Sequence, residues 1–242
     1  MVGLIDRLSV RYYLAVARTL DLEKHTVRKD AFVEAAQRLL QTKGYEAMTI
    51  QDLLEELGAS RGAFYHYFDS KQALLEAVVD RITDAALATV APVIDDASLP
   101  AADKLTRVFS DIGRWKTERR ALVLSLMEVW MSDENAIFRE KIRERLMTRM
   151  VPLLTRIVRE GIAEGTFTSR SPQDTAMVLV MLIEGSQNRA LELFIARQAN
   201  RVTYEDAERY FASYLDAFER ILGAPAGSIK LIDESILREW FG

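Results

Sequence analysis

Between Thr49 and Lys71 the chain carries two short, separately punctuated helical segments, and they constrain everything around them. Ile50, Leu53, Leu54 and Leu57 recur at i, i+3, i+4 and i+7, the apolar stripe of a helix. Thr49 followed by Asp52 is a start signal of the capping-box type. Gly58 falls just past the last apolar position, where a left-handed residue commonly closes a helix. Ser60 is then placed to cap a second short helix. Two capped helices joined by so tight a turn predict a helix-turn-helix.

The second helix has the composition of a reader. Phe64 and Phe68 are four apart and predict one shared core contact, which leaves Arg61, Gly62, Ala63, Tyr65, His66 and Tyr67 for the other faces. Arginine suits guanine edges or phosphates, and small residues allow close backbone approach or contact with a thymine methyl. Tyrosine hydroxyls and the lysine at the next helix start, Lys71, suit phosphate oxygens. With Thr49 and Ser60 at the helix starts, these residues are the candidate DNA contacts. Arg61, Ala63 and His66 are expected nearest the bases, and Tyr65, Tyr67 and Lys71 on phosphates. An aromatic-rich helix also suits an ordinary core, so the segment alone leaves both uses open.

The run Thr49-Ile-x-Asp-Leu, followed by Leu57-Gly-Ala-Ser-Arg-Gly-Ala-Phe-Tyr-His-Tyr-Phe-Asp-Ser-Lys71-x-Ala-Leu, resembles the signature of tetracycline-repressor-type (TetR family) transcriptional regulators. The resemblance is ungapped and extends from about Lys29 to Val79. It implies an all-α homodimer, with an N-terminal three-helix helix-turn-helix domain and a larger helical domain that binds a small effector and dimerises. The larger domain diverges widely in that family, so the resemblance says little about the effector.

Composition sets outer bounds. The chain has 242 residues, 49% apolar and 28% charged, the profile of a globular protein with a sizeable core. No uncharged apolar run of about 18 residues occurs, so no spanning helix and no membrane partner are expected. The start lacks a basic region followed by a clean apolar stretch, so no signal peptide is expected. There is no cysteine, which excludes disulfides and thiolate metal sites, and a cytoplasmic location is the default expectation. His25 and His66 are the only histidines, so no metal site is expected. A phosphate-cradling glycine loop and a nucleophile elbow are both missing. No cofactor, no catalytic residue and no enzymatic activity are expected. The net charge of −4 is not that of a generally basic nucleic-acid binder, so phosphate contacts must come from one local face.

Taken in order, residues 1–26 read as a helical extension with Arg7, Arg11 and Arg18 on one face, either packed with solvated arginines or touching DNA. Residues 27–72 read as the DNA-binding domain, its first helix running from Val27 to Lys43 and ended by Gly44. Residues 73–223 read as the effector-binding and dimerisation domain, entered along a helix from about Lys71 to Val90. Pro92 and the stretch from Asp95 to Pro100 read as a loop. Further helices are expected at Ala101–Thr117, Glu118–Met131, Asn135–Glu164, Pro172–Gln198 and Tyr204–Leu222, with a break at Ser132-Asp-Glu. Residues 224–242 read as a tail with a helical apolar face, docked on its own domain or on a partner chain.

The Pro172–Gln198 helix is apolar nearly all round from Ala176 to Ile183, as for a helix buried on more than one side. With the following helix, and the same pair from a second chain, it suits an intermolecular four-helix bundle, and an intrachain core suits it too. Glu128 sits among Met127, Val129 and Trp130, and Glu184 follows Val180 to Ile183. Such carboxylates either find a partner, face solvent, or line a pocket. Met127, Glu128, Trp130, Phe138 and Glu184 are the candidate lining of a mostly apolar effector site. The reading is a dimeric regulator on a double-stranded DNA operator, most simply a repressor released by a small molecule. An activator, an architectural DNA binder, or a small-molecule binder with a vestigial DNA domain are the alternatives.

Overall fold

The computed structural model of the chain describes residues 3–131 and 136–242, with side chains from His25 on. The fold is all-α: the described residues form ten helices and no strand. The chain divides into two compact units, Met1–Asp80 and Arg81–Gly242.

The first unit opens with α1 (Gly3–Ala47), which is continuous until Gly44, where φ 76 and ψ 167 break it. Neither glycine nor proline occurs between Gly3 and Gly44, so nothing local separates the extension from the first helix of the matched domain. The expected boundary at residue 26 leaves no mark on the helix. The arginine stripe of the extension lies outside the described side chains. Phe32, Ala35, Ala36 and Leu40 are fully buried and make the face of α1 that receives α2 (Ile50–Leu57) and α3 (Arg61–Tyr67).

Helix α4 (Lys71–Asp95) spans the division between the units and overruns the loop expected around Pro92. The extra turn is held by tertiary contacts that sequence punctuation does not show. Val90 and Ile94 are buried in the core of the second unit. Lys104 donates to the Ile94 carbonyl at 3.1 Å, satisfying one of the orphan acceptors of a helix end. Arg156 pairs with Asp95 at 2.5 Å.

The second unit continues with α5 (Ala101–Glu118), α6 (Arg120–Met131), α7 (Ala136–Ala163), α8 (Pro172–Gln198), α9 (Tyr204–Leu222) and α10 (Glu234–Phe241). These ends agree with the expected ones to within a residue or two; the expected break at Ser132-Asp-Glu lies outside the described residues. Leu105, Ile157, Val158, Leu179, Phe218 and Leu222 are central to one core. Helix α5 starts at Pro100 without a side-chain cap of its own, and the Glu164 carboxylate from α7 accepts the Ala101 N–H instead at 2.9 Å. At Gly161 a β-carbon would lie 2.1 Å from the Phe167 ring, so only glycine lets that ring close over α7.

The tail docks on its own chain. Glu219, buried on α9, accepts the N–H groups of Gly227 and Ile229 at 2.9 and 3.0 Å. Further along, Leu237 and Phe241 of α10 pack with Leu193 and Ala207. Trp240 Nε1 donates to Thr117 Oγ1 at 2.8 Å, and the Arg120 guanidinium lies 5.0 Å from the Trp240 ring centroid.

Candidate DNA-reading face and effector cleft

Helix α2 is fixed at both ends by its own sequence. Thr49 Oγ1 accepts the Asp52 N–H at 3.1 Å, while the Asp52 carboxylate accepts the Thr49 N–H at 2.8 Å, a closed capping box. Gly58 closes the helix in the left-handed region at φ 56. Lys43 and Arg38 of α1 reach across to Asp52 and Glu56, each at 2.7 Å. The Lys43 hydrogen bond, followed by those from Thr49, lowers the Asp52 pKa to about 2.

Helix α3 is presented rather than merely formed. Ser60 caps it, accepting the Ala63 N–H at 3.2 Å. Phe64 and Phe68 are buried, with the Phe64 ring 5.7 Å and the Phe68 ring 6.3 Å from Phe32. Two aromatic plugs on one side orient the other side outward. Thr49, Ser60, Arg61, Gly62, Tyr65 and His66 are exposed there, and Ala63, Tyr67 and Lys71 are half-buried. Arg61 lies 5.9 Å from the Tyr65 ring centroid, so the two form one amphipathic patch. A β-carbon on Gly62 would meet only Ser60 Oγ at 3.9 Å, so nothing within the chain requires glycine at that position.

Two contacts of this face are not evident from sequence spacing. The Lys71 ammonium donates to the Tyr45 carbonyl at 2.5 Å and lies 4.1 Å over the Tyr45 ring. It thus ties the start of α4 to the end of α1, and burial lowers its pKa. His25 packs against α3, its ring 4.7 Å from Tyr67 and 5.4 Å from His66. Only a continuous α1 puts His25 there.

The five candidate effector residues do not converge. Trp130 and Glu184 do share a cleft, of about 20 Å³, with Arg143, Met147, Met150 and Ile183. Glu128 is exposed, because on a helix its immediate neighbours Val129 and Trp130 project elsewhere. Phe138 is buried at 2% exposure, and neither it nor half-buried Met127 lines the cleft. Trp130 Nε1 donates to Asn188 Oδ1 at 3.0 Å, which fixes the indole. Burial raises the Glu184 pKa, and the positive charge of Arg143 opposes that rise. A space of about 20 Å³ holds roughly one water, so an organic effector enters only if side chains move. Among the described residues no group of three or more histidines and carboxylates is placed to hold a metal. None of the described helices is long and apolar enough to cross a membrane.

The profile of the bacterial regulatory proteins of the tetR family matches residues 32–78, which contain all of α2 and α3. The DNA-binding segment of the chain is that of the tetR family. Full-length likeness runs beyond the reading domain. The uncharacterized HTH-type transcriptional regulator YfiR of Bacillus subtilis (strain 168) is 26% identical over 199 residues, covering 80% of this chain and 94% of that one. The HTH-type transcriptional repressor KstR2 of Mycolicibacterium smegmatis is 26% identical over 142 residues, covering 58% and 67%. The crystal structure of a TetR transcription regulator from Haloarcula marismortui aligns with a TM-score of 0.58 at 25% identity, covering 79% and 98%. The matched segment lies within the first compact unit, Met1–Asp80, and the second unit, Arg81–Gly242, lies beyond it.

Proposed function

We propose that this tetR-family regulator is a homodimeric, cytoplasmic repressor that leaves its operator when a small, mostly apolar molecule binds the second unit. The observation that carries the reading is the outward face of α3. It presents an arginine, a glycine, a tyrosine and a histidine on a helix locked from behind by Phe64 and Phe68. Arg61, Ala63 and His66 stand nearest the bases in this reading, and Tyr65, Tyr67 and Lys71 meet phosphates, with Thr49 and Ser60 at the flanking helix starts. In a two-fold dimer the two recognition helices enter successive major grooves, which demands half-sites about 34 Å apart.

Support for the dimer comes from α8. Met177, Val178 and Met181 are exposed at 38, 47 and 54% on a helix whose opposite side is core. Support for repression is the likeness to a named repressor across most of that protein's length. The effector shifts the dimer away from DNA only by its differential affinity for the two states. The deciding experiment is selection of bound DNA from a random pool, followed by binding to the enriched sequence. A palindrome with half-sites one helical turn apart is expected, and Arg61→Ala is expected to relax one position of each half-site. Enrichment of no sequence would overturn the reading.

A further inference from the structure

The last residue of α3, Tyr67, is gripped from α1. On α1, His25, Lys29 and Phe32 are spaced by four and three and share one face. That face runs along the end of α3 and its cap. The Phe32 ring lies 6.0 Å from Tyr67 and 6.3 Å from Phe68. One turn back, the Lys29 ammonium lies 5.7 Å from the Phe68 ring centroid. Two turns back, the His25 ring lies 4.7 Å from Tyr67 and 5.4 Å from His66. His25 and Phe32 are about 10 Å apart along the helix axis, and the Tyr67 ring touches both. It is held as by two jaws.

The jaws differ in what else they do. Phe32 is fully buried and also carries Phe64 and Phe68, so the fold needs it whatever Tyr67 does. His25 is exposed, and its ring contacts among the described residues are with α3 alone. An exposed imidazole contributes little to a core, so what it does is restrict its neighbours. Tyr67 is half-buried. Its hydroxyl has no hydrogen bond among the described residues and is not one of the buried unpaired atoms, so it is open to an outside acceptor. Closing the phenol ring from both sides settles its torsions before DNA arrives. A side chain already ordered loses less freedom on binding.

We propose that His25 is a positioning residue for DNA binding: its ring holds Tyr67 against Phe32, so that the Tyr67 hydroxyl meets a phosphate oxygen already oriented. The DNA-binding surface then depends on α1 as well as on α3, through a residue that need not touch DNA itself. The edge contact with His66 steadies a second side chain of the same face. This inference rests on the reading of Tyr67 as a phosphate contact.

The test is a double-mutant cycle on the full chain. Affinity is read with a labelled duplex of the pool-selected sequence and, at low salt, with one of random sequence, since a phosphate contact acts on both. Melting temperature is read beside it. Tyr67→Phe keeps the ring and removes the hydroxyl, and is expected to weaken binding about tenfold or more. His25→Ala is expected to weaken binding about threefold to tenfold with the melting point unchanged, and His25→Phe, which restores a ring, to recover most of that loss. In the Tyr67→Phe background, His25→Ala is expected to cost nothing further, because the hydroxyl it serves is gone. A neutral His25→Ala, a loss that His25→Phe does not recover, a loss that adds in full to that of Tyr67→Phe, or a loss tracked by a lower melting point each overturns the proposal. Tyr67→Phe that binds like wild type sinks the phosphate reading and the inference with it. Tyr67→Phe that binds weakly beside a neutral His25→Ala sinks the inference alone.

Discussion

Asp52 is where one residue does most for the reading domain. Its carboxylate receives Lys43, the Thr49 N–H and the Thr49 hydroxyl, at 2.7, 2.8 and 2.9 Å. Its folded pKa, about 2, lies below the ordinary 3.8. For a carboxylate with a depressed folded pKa, stability is fully present above the unfolded value and is lost as pH falls through the folded one. Acid melting of wild type is therefore expected to steepen between pH 3.8 and about 2. Asp52→Asn should remove that part of the pH dependence; the same acid slope in both proteins would contradict the assignment. Gly161 makes a second residue-scale prediction. Gly161→Ala drives a methyl into the Phe167 ring, and overpacking of this kind costs about 1–3 kcal/mol by chemical denaturation. The box at Thr49–Asp52 was legible because capping chemistry acts over three residues. For Glu128 the sequence left partner, solvent and pocket open, and the side chain faces solvent: sequence neighbours on a helix point about 100° apart, so apolar flanks say little about where a side chain faces.

At the scale of elements, α3 offers the sharpest separation of folding from function. A β-carbon on Gly62 would make only an ordinary contact, with Ser60 Oγ, and alanine favours helix over glycine by about 0.5–1 kcal/mol. Gly62→Ala should therefore raise the melting point of the first unit slightly while weakening DNA binding, because the added methyl stands where the DNA backbone or a base edge approaches. Unchanged affinity would place the duplex elsewhere on α3. Lys71→Ala should weaken binding to every sequence and reduce the salt slope by about one. An affinity loss without a change in slope would mean that the Tyr45 contact, and not a phosphate, is what the lysine supplies. The helices themselves were largely legible, since α8 and α9 open and close on local signals: Pro172 at a helix start, Thr203 with Asp206, Gly223 at φ 63. The last turn of α4 was not. Proline normally argues for a stop, and here the burial of Val90 and Ile94, 1% and 3% exposed, outweighs the missing hydrogen bond at Pro92.

For the molecule as a whole, the proposed dimer needs a contact face, and side-chain exposure turns that need into a discriminating experiment. Helix periodicity alone offered α8 and α9 together for an interface, with Met181 on the one and Phe211 on the other. The structure separates them: the Phe211 ring packs on Phe241 of its own tail at 5.6 Å, whereas Met181 is 54% exposed. The outward residues of α9, among them Glu208, Arg209, Ser213 and Asp216, are polar, and the exposed apolar stripe belongs to α8. Met181→Glu should leave the fold of a single chain intact, because the new charge meets water there. In a two-fold dimer the substitution occurs on both sides of the axis and sets like charges near one another in an apolar contact. Breaking complementarity in this way costs about 3–5 kcal/mol, which is a loss of at least a hundredfold in dimer affinity. Sedimentation should therefore show monomers with an undiminished melting transition, and operator affinity should collapse because two half-sites are no longer gripped together. Phe211→Glu should do the reverse, loosening α10 and lowering the melting point before it affects assembly. If Met181→Glu still sediments as a dimer, the α8 stripe is not the contact, and the partner chain must be sought on another face.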